Sequence, residues 1–355
     1  MSESGATLVI DHDSAEALYD LFEERGWGDG LPVVAPTPAR VEAMLAGAPG
    51  DPDELLAVLQ PRAGLATRRM VAVNAVLAGC RPEWMPVLVA ATRALGSSQL
   101  NLRGVNATTH PVAPLLVVHG PIAKRTGFNA GVGAFGPGTR ANATVGRAVR
   151  LLLIHVGGAT PGAGDASSQG QPAKYAYCVA ENSDQSPWGS YHHSVGVEAA
   201  SAVTIHCGEG PHNFHDMEAE EPQPILDKAA SVAATLGSNN APISEGEFFV
   251  MLGPEHAFTI AAAGWSRDDV SAYLFEKARL PAGLLRRQFE SVLWRPWMKA
   301  LDDDERQPMT ERAENFKVMV VGGAGKQSCL IPSWGVTKSV TVAIDETAST
   351  DRKEA

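Results

Sequence analysis

The sequence predicts an α/β fold built from two related halves around a shared cleft, which implies an internal duplication. Short apolar runs at 115–119, 248–252 and 318–321 are typical of buried strands. Segments with helical periodicity lie between these runs, and such a mixture favours a layered α/β architecture. Of the 355 residues, 45% are hydrophobic and 19% are charged, so the chain has enough apolar material for a large core.

Three sequence features occur in both halves in the same order. Each half has Leu-Gly-Ser after a helical stretch, then an apolar strand that ends in Gly-Pro, and then Val-Gly-Gly-Ala. These features lie at 95–97, 115–121 and 156–159 in the first half, and at 236–238, 248–254 and 321–324 in the second. Because proline fits the first turn of a helix, each Gly-Pro predicts a strand, a sharp turn and a helix. The free N–H groups of such a turn can bind anions, so we expect the cleft at these two turns.

Capping and turn residues predict the other elements in chain order. Ser14 is positioned to cap the first helix, Gly26 ends it, and Thr37 and Pro38 begin the second. Further helices are predicted at 67–79, 83–95, 139–155, 222–236 and 266–277, and short strands near 175–180 and 202–207. The predicted organisation is an N-terminal helical and extended arm (1–66), the first half (67–165), a loop-rich polar insertion (166–221), the second half (222–343) and a frayed tail (344–355).

The charge and the cysteine content limit the classes of partner. The net charge of -11 and the pI of about 5.4 argue against nucleic acid or an anionic membrane as the main partner. The N-terminal residues lack the pattern of a secretory signal, and no run of about 18 apolar residues is present. The four cysteines form no CxxC pair, so reduced thiols are expected. We expect a cytoplasmic homo-oligomer with a small-molecule substrate.

A polar run before the first central strand supplies His110, a candidate catalytic residue. Asn106, Thr108 and Thr109 in the same run are candidate substrate-binding residues, because binding residues often lie in connections between elements. The alternative is a turn in which asparagine and threonine side chains bond to the backbone. The sequence leaves both interpretations open.

Two further segments are candidate binding loops for an anionic substrate. The segment 131–142, rich in glycine, lets the backbone approach a ligand closely, with Arg140 and Asn142 in the first turn of the following helix. A purely structural turn is the alternative. Gln171 and Lys174 could also bind an anion, although a solvated surface lysine is the more common case. Neither segment has the pattern of a site for NAD, flavin or ATP.

A histidine-rich region is the candidate site for a divalent metal, Zn or Fe. His206, His212 and His215 supply imidazoles, and Asp216 adds a carboxylate. The HExxH pattern of zinc proteases is absent. Histidines that line a pocket as acids, bases or hydrogen-bond donors are an equally good interpretation.

The second Gly-Pro turn is followed by Glu255 and His256, which form a candidate catalytic pair. A carboxylate and an imidazole at a strand–helix junction can act as acid and base if they face a cleft. The favourable interaction of a carboxylate with the first turn of a helix explains Glu255 equally well. The sequence does not decide between these roles.

The glycine-rich turn after the third strand predicts a cradle for phosphate or carboxylate. It contains Lys326, Gln327 and Ser328 as candidate substrate-binding residues and Cys329 as a candidate catalytic thiol. A nearby lysine can lower the pKa of a thiol, although an inert Cys329 is the slightly better interpretation. Cys80 is a second candidate thiol, for redox or covalent chemistry.

Most of the chain, about 14–343, resembles a known family. The resemblance lies in GDGLPVVAPTPARVEAMLAG (28–47), VAVNAVLAGCRPEWMPVLVAA (71–91), FGPGTRANATVGRAVRLL (135–152), SQGQPAKYAYCVAEN (168–182) and GPEHAFTIAAAGWSRDDVSAYLFEKARLP (253–281). These segments resemble a bacterial family associated with UGSC-motif (seleno)proteins, as the larger partner or fused region beside a small unit with selenocysteine or cysteine, Gly, Ser and Cys. The resemblance implies thiol or selenol chemistry. The nearest string here is KQSC (326–329), which lacks the first redox residue and its glycine, so a reductase would need a separate small redox partner protein.

The candidate residues favour an enzyme that acts on a small polar, carboxylate-bearing molecule. The chemistry would be acid–base, as in a hydrolase or a lyase, with metal assistance at the histidine site. Arg140, Asn142 and Lys326 would hold the anion. Two alternatives stay open: a thiol-dependent oxidoreductase that works with a small UGSC- or CGSC-type partner, and a non-catalytic scaffold or small-molecule-binding subunit.

Overall fold

The computed structural model describes residues 14–289 and 294–346. The start of the predicted arm and most of the predicted tail lie outside these residues. The helices are α1 (Ala15–Glu24), α2 (Pro38–Ala46), α3 (Arg68–Ala78), α4 (Met85–Leu95), α5 (Leu102–Ala107), α6 (Pro121–Arg125), α7 (Arg140–His155), α8 (Tyr191–Ser194), α9 (Pro222–Ala233), α10 (Asn240–Ile243), α11 (Pro254–Ala262), α12 (Arg267–Lys277), α13 (Ala282–Gln288) and α14 (Pro296–Lys299). No described helix is both long and apolar enough to cross a lipid bilayer.

The strands form two four-stranded sheets and two small hairpin-like pairs. The strands are β1 (Leu55–Leu59), β2 (Gly64–Thr67), β3 (Ala113–His119), β4 (Cys178–Ala180), β5 (Ala202–Gly208), β6 (His212–His215), β7 (Phe248–Leu252), β8 (Arg279–Pro281), β9 (Arg306–Pro308), β10 (Phe316–Val320), β11 (Gln327–Pro332) and β12 (Val340–Ala343). The orders are β4-β3-β5-β12 and β10-β7-β11-β6, with β1-β2 and β8-β9 as the pairs. The mixture of helices and mixed sheets confirms the predicted α/β class.

The two large sheets have the same pattern of strand directions. In each sheet the first two strands are parallel and the remaining neighbours are antiparallel. The edge strands are exchanged: β6 follows β5 in the chain but pairs with β11, and β12 follows β11 but pairs with β5. The common topology agrees with related halves, and the internal duplication and the shared cleft stay predictions.

The sheets pack face to face, and helices cover their outer faces. Leu116 of β3 lies in a core with α3, α4 and α7, while the next side chain, Val117, packs with Phe249 and Met251 of β7. The outer face of β7, which includes Val250, packs against α9, α11 and α12. Because successive side chains of a strand point to opposite faces, both central strands are buried on both faces and are apolar throughout their middle.

The segment 166–221 contributes more to the sheets than a loop-rich insertion suggests. It contains β4, β5 and β6, and β5 lies between β3 and β12 in the first sheet. These strands are three to seven residues long and lie among glycine, serine and histidine residues. Their apolar periodicity is therefore short, which is why the sequence predicts mainly loops there.

Candidate functional site

The turn after β3 places a glycine where no other residue fits. Gly120 has a φ of 83° and a ψ of -172°, a region that glycine alone adopts readily. A Cβ atom at this position would lie 2.2 Å from the carbonyl oxygen of Ala200. Pro121 then begins α6, so β3 ends sharply at His119. The backbone thus fixes His119 at the carboxyl end of the strand.

A cavity of about 740 Å³ lies at the carboxyl ends of β3 and β4. Gly120 lines it, and so do Glu181, which follows β4, and Ser190 and His192, which precede β5. His119 is fully buried and contacts Glu181 without lining the cavity. Ligand sites in α/β sheets are usually found at the carboxyl ends of strands.

Glu181 is at the centre of the polar contacts. Its Oε2 atom lies 2.7 Å from His119 Nδ1 and accepts from Ser190 Oγ at 2.6 Å. The Tyr191 backbone N–H donates to the same carboxylate at 2.8 Å, and the Arg267 guanidinium lies 3.6 Å away. Burial alone would raise the pKa of Glu181, but its hydrogen bonds outweigh burial and hold the pKa below its ordinary value. Glu181 is therefore ionised at neutral pH.

Both imidazoles are oriented by contacts on their outer nitrogen atoms. His192 Nε2 donates to the carbonyl oxygen of Ala199 at 2.9 Å. His119 Nε2 lies 2.7 Å from Thr204 Oγ1, and Thr204 in turn bonds Thr341 of β12 at 2.9 Å. The Nδ1 atom of His119 contacts the Glu181 carboxylate. The Nδ1 atom of His192 contacts Ser190 Oγ, which in turn contacts that carboxylate.

The hydroxyl group of Ser190 has one proton and two acceptors. It lies 2.6 Å from Glu181 Oε2 and 2.8 Å from His192 Nδ1. Because His192 Nε2 faces a carbonyl oxygen, that nitrogen carries the proton of the neutral ring, and Nδ1 can only accept. Burial lowers the pKa of His192, which favours the neutral ring. The hydroxyl proton can serve only one of these two acceptors, and Glu181 also accepts the Tyr191 backbone N–H.

His119, Glu181 and His192 could hold a metal ion. One ligand atom from each lies within 4.8 Å of the other two, and all three side chains are buried. Two imidazoles and a carboxylate are the donors of catalytic zinc sites and of non-haem iron sites. Metal-binding histidines usually donate their outer N–H group to a carbonyl, a carboxylate or water, as His192 does here. We call these three residues and Ser190 the Glu181 cluster.

The predicted metal residues His206, His212 and His215 do not form such a group. His206 is buried between the sheets, where its ring centroid lies 3.9 Å from that of Phe249 and burial lowers its pKa to about 3. His212 and His215 are exposed on the edge strand β6. Among the described residues, the histidines and carboxylates with the spacing of metal ligands are His119, Glu181 and His192.

His110 and its neighbours lie apart from the Glu181 cluster, before the amino end of β3. His110 Nε2 is 3.1 Å from a Glu209 carboxylate oxygen. Asn106 donates to a backbone carbonyl at 2.7 Å, and Thr108 Oγ1 accepts the backbone N–H of His110 at 3.1 Å. The carbonyl oxygen of Thr109 accepts a backbone N–H at 2.9 Å. The Thr108 contact is that of the backbone-bonded turn that the sequence leaves open, and Asn106 and His110 join this segment to more distant parts of the chain.

The structure brings together the candidate residues of the second Gly-Pro turn. Glu255 accepts the backbone N–H groups of Gly325 and Lys326 at 2.5 and 2.7 Å. His256 Nδ1 lies 2.7 Å from Ser328 Oγ, and the same hydroxyl accepts the backbone N–H that begins the turn at 2.9 Å. These side chains stabilise the turn itself.

The residues predicted to hold an anion donate to backbone carbonyls. Arg140 does so at 2.8 Å, Asn142 at 3.1 Å and Lys326 at 2.8 Å. The side-chain amide oxygen of Gln327 accepts from Asn213 at 2.8 Å. Asn142 is buried and holds the glycine-rich loop before α7, which is the structural role that the sequence leaves open.

The two candidate thiols lie in surroundings that favour the protonated form. Burial raises the pKa of Cys80 to about 12 and that of Cys329 to about 12. All four cysteines are free. Because the thiolate is the nucleophile, neither thiol is activated in this arrangement.

Gln171 and Lys174 lie at a second cavity, of about 600 Å³. The Gln171 amide donates to the carbonyl oxygen of Pro111 at 2.6 Å, and Lys174 donates to Asp165 at 2.7 Å. This cavity and the one at the Glu181 cluster have no lining residue in common.

Sequence reasoning names His110 and misses the residues of the Glu181 cluster as site residues. The sequence signal that could have identified these residues is their position at or near the ends of short apolar runs. His119 is the polar end of an otherwise apolar strand, directly before Gly-Pro, and Glu181 follows a short apolar run. His192 belongs to a histidine pair in the polar segment.

A scan against models of known families gave no match for this chain, and searches of curated proteins and of solved structures gave none either. The resemblance to the UGSC-associated family stays a prediction. The function is therefore inferred from the geometry of the site.

Proposed function

We propose that the protein is an enzyme that acts on a small polar molecule by acid–base chemistry assisted by a divalent metal, as a hydrolase or a lyase. One observation carries the proposal. Beside a cavity of about 740 Å³, Nδ1 of buried His119 contacts an ionised carboxylate directly, and Nδ1 of buried His192 is joined to the same carboxylate through Ser190. The partners on the outer nitrogens support the same conclusion, because they fix the ring orientation that a metal requires.

The residues of the Glu181 cluster have distinct roles in this proposal. His119, Glu181 and His192 would hold the ion, since one ligand atom from each lies within 4.8 Å of the other two. A divalent ion with three protein ligands would supply a water molecule of lowered pKa and would polarise a bound carbonyl group. Ser190 lines the cavity, where its hydroxyl can donate to the substrate.

The substrate is recognised at the rim of the same cavity. Lys124 and Arg125 line it, and each pairs with a carboxylate, from Asp184 and Glu346 respectively. A carboxylate group on the substrate would exchange with one of these surface pairs at little cost, because exposed ion pairs are weak. This arrangement supports a small, carboxylate-bearing substrate.

The metal is tested by elemental analysis of chain that has been stripped with a chelator and reloaded with Zn²⁺, Fe²⁺ or Mn²⁺. The expected result is about one ion per chain, and loss of most of it in Glu181→Gln and His192→Gln. Glu209→Gln is the matched control, since Glu209 also pairs with a histidine but lacks a third ligand. No bound ion in the reloaded wild type, or equal loss in the control, would contradict the metal role.

The activity is tested by incubating the chain with a mixture of small amides, esters, hydroxy acids and amino acids, and following each by mass spectrometry. The wild type should consume at least one compound, with addition of water or elimination of a small molecule. Glu181→Gln should reduce that rate by a factor of at least about 100, because it removes a charge at the reaction centre. No consumption by metal-loaded wild type would favour the scaffold or binding alternative.

The position of Ser190 favours a second candidate, an acid–base site without metal. In that case Ser190 donates to Nδ1 of the neutral His192, which acts as its base, and Glu181 accepts the Tyr191 backbone N–H. Turnover that persists after complete removal of metal would select this candidate. No contact of the described residues favours the thiol-dependent alternative, because burial keeps Cys80 and Cys329 protonated.

A further inference from the structure

The second cavity is lined by an unbalanced group of buried charges. It lies between α7, which supplies Arg150, and the segment 161–175, which supplies Asp165 and Lys174. Arg150 Nη2 and Lys174 Nζ both lie 2.7 Å from the same oxygen, Asp165 Oδ2. The side chains of the two cations are only 10% and 12% exposed, and that of the carboxylate is 4% exposed.

Two cations and two carboxylates line this cavity, but Arg147, outside the lining, neutralises one of the carboxylates and leaves an excess of one positive charge. Asp165 balances one of the two cations, and the other acidic group of the lining, Asp29, is already paired with Arg147 through two bonds of 2.7 and 2.8 Å. This excess lies in a chain whose net charge is -11. A buried charge without a full counter-charge costs free energy, so an anion that entered the cavity would recover part of that cost.

The donors of the two cations are only partly used. Within the described residues, both hydrogen bonds from the Arg150 side chain come from Nη2, although a guanidinium group has five N–H donors. Lys174 has three donors, and its one described bond is to Asp165. Burial lowers the pKa of Lys174 in spite of Asp165, which is the expected sign for a cation that lacks enough negative charge.

We propose that this cavity is a separate binding site for a small organic carboxylate. One anionic group matches the excess of one charge, and the guanidinium group can bind a carboxylate through two donors. Ile154, Pro161 and Pro172 add apolar surface for the rest of the ligand. Gln171 also lines the site, and it bonds to Pro111, before the amino end of β3, whereas the Glu181 cluster lies at the carboxyl end.

The test is isothermal titration calorimetry of the full chain with benzoate, with benzamide as the uncharged analogue and inorganic phosphate as the other anion. Wild type should bind benzoate, and Lys174→Gln should weaken this binding about tenfold or more, because it removes a charge-assisted donor. Lys174→Arg should keep most of it. Lys277→Gln is the control and should leave benzoate binding unchanged, since Lys277 is exposed, contacts Glu276 and the Tyr273 ring, and does not line the cavity.

The same measurements separate the other outcomes. Equal affinity for benzamide and benzoate, or unchanged binding in Lys174→Gln, would overturn the site, and binding of phosphate in place of benzoate would overturn the carboxylate class. If Lys174→Gln does not fold, the melting temperature of the wild type tests the proposal instead. Benzoate should raise this temperature and benzamide should not, and an equal effect of the two compounds would overturn the site. Glu181→Gln should bind benzoate as the wild type does, so this site and the proposed function can fail independently.

Discussion

The two strand–turn–helix units share a topology but differ at their strand ends. The residue before Gly-Pro is His119 in the first unit and Leu252 in the second. Counted from the two Gly-Pro turns, Glu181 lies opposite His119 and Val320 lies opposite Leu252, because Val118 pairs with Ala180 and Leu252 pairs with Val320. One unit thus has a buried histidine and a buried carboxylate where the other has leucine and valine.

The difference between the two strand ends shows which side chains this topology needs for packing and which it does not need. Leu252 and Val320 are buried and need no polar partner. Burial of Glu181 costs free energy that its hydrogen bonds offset, so replacing the whole polar network by apolar side chains would change stability little, whereas removing one member is costly. The second unit shows that this topology forms without polar strand ends, so the polar ends of the first unit are not required by the topology.

The largest expected effect is on the free energy of unfolding when the two equivalent side chains are shortened. In metal-free chain, Glu181→Ala should lower it by about 3–5 kcal/mol, because buried donors and the Arg267 charge lose their partner. Val320→Ala should cost about 1–2 kcal/mol, as expected for two buried methyl groups. Urea denaturation measures both. Equal losses would mean that the carboxylate is not needed by its neighbours.

An intermediate effect is expected at the two turn glycines. A Cβ atom at either Gly120 or Gly253 would lie 2.2 Å from a carbonyl oxygen, but only Gly120 has a positive φ. Gly120→Ala should therefore lower the free energy of unfolding by about 1–3 kcal/mol more than Gly253→Ala. Thermal and urea denaturation of the two variants give the difference. A larger loss in Gly253→Ala would show that the clash, and not the backbone conformation, dominates.

The smallest effect is a pH dependence at the second turn. Hydrogen bonds from the backbone of Gly325 and Lys326 hold the pKa of Glu255 below its ordinary value of 4.5. The folded state therefore gains stability above the unfolded pKa, and loses it as the pH falls through the lower, folded pKa. Glu255→Gln should reduce the drop in melting temperature between about pH 5 and pH 3. An identical drop in melting temperature in the variant and the wild type would show that ionised Glu255 does not contribute to stability.

The local elements could be predicted because their signals are local. Ser266 accepts the backbone N–H of Asp269, and the Asp269 carboxylate accepts that of Ser266, so the predicted capping box is present. The strand predicted at 248–252 is β7, and each Gly-Pro begins a helix as expected. Propensity and capping act over a few residues, and one sequence contains that information.

The Glu181 cluster could not be predicted because its members meet only through sheet pairing. His119 ends β3, Glu181 follows β4, and His192 lies in the connection to β5, so their proximity depends on which strands are neighbours. Sequence proximity instead favours His212 and His215, which the edge strand leaves exposed. Periodicity describes which residues are buried, and it does not describe which strands pair.

The exchange of edge strands also determines the order in which the site can be completed. Thr341 of β12 bonds Thr204, which orients His119, and β12 is the last strand of the described chain. A ribosome therefore synthesises the second sheet before the strand that completes the first one becomes available. A nascent chain stalled or truncated before residue 340 would contain His119, Glu181 and His192 but would lack the Thr341 hydroxyl group that bonds Thr204, the partner of His119 Nε2.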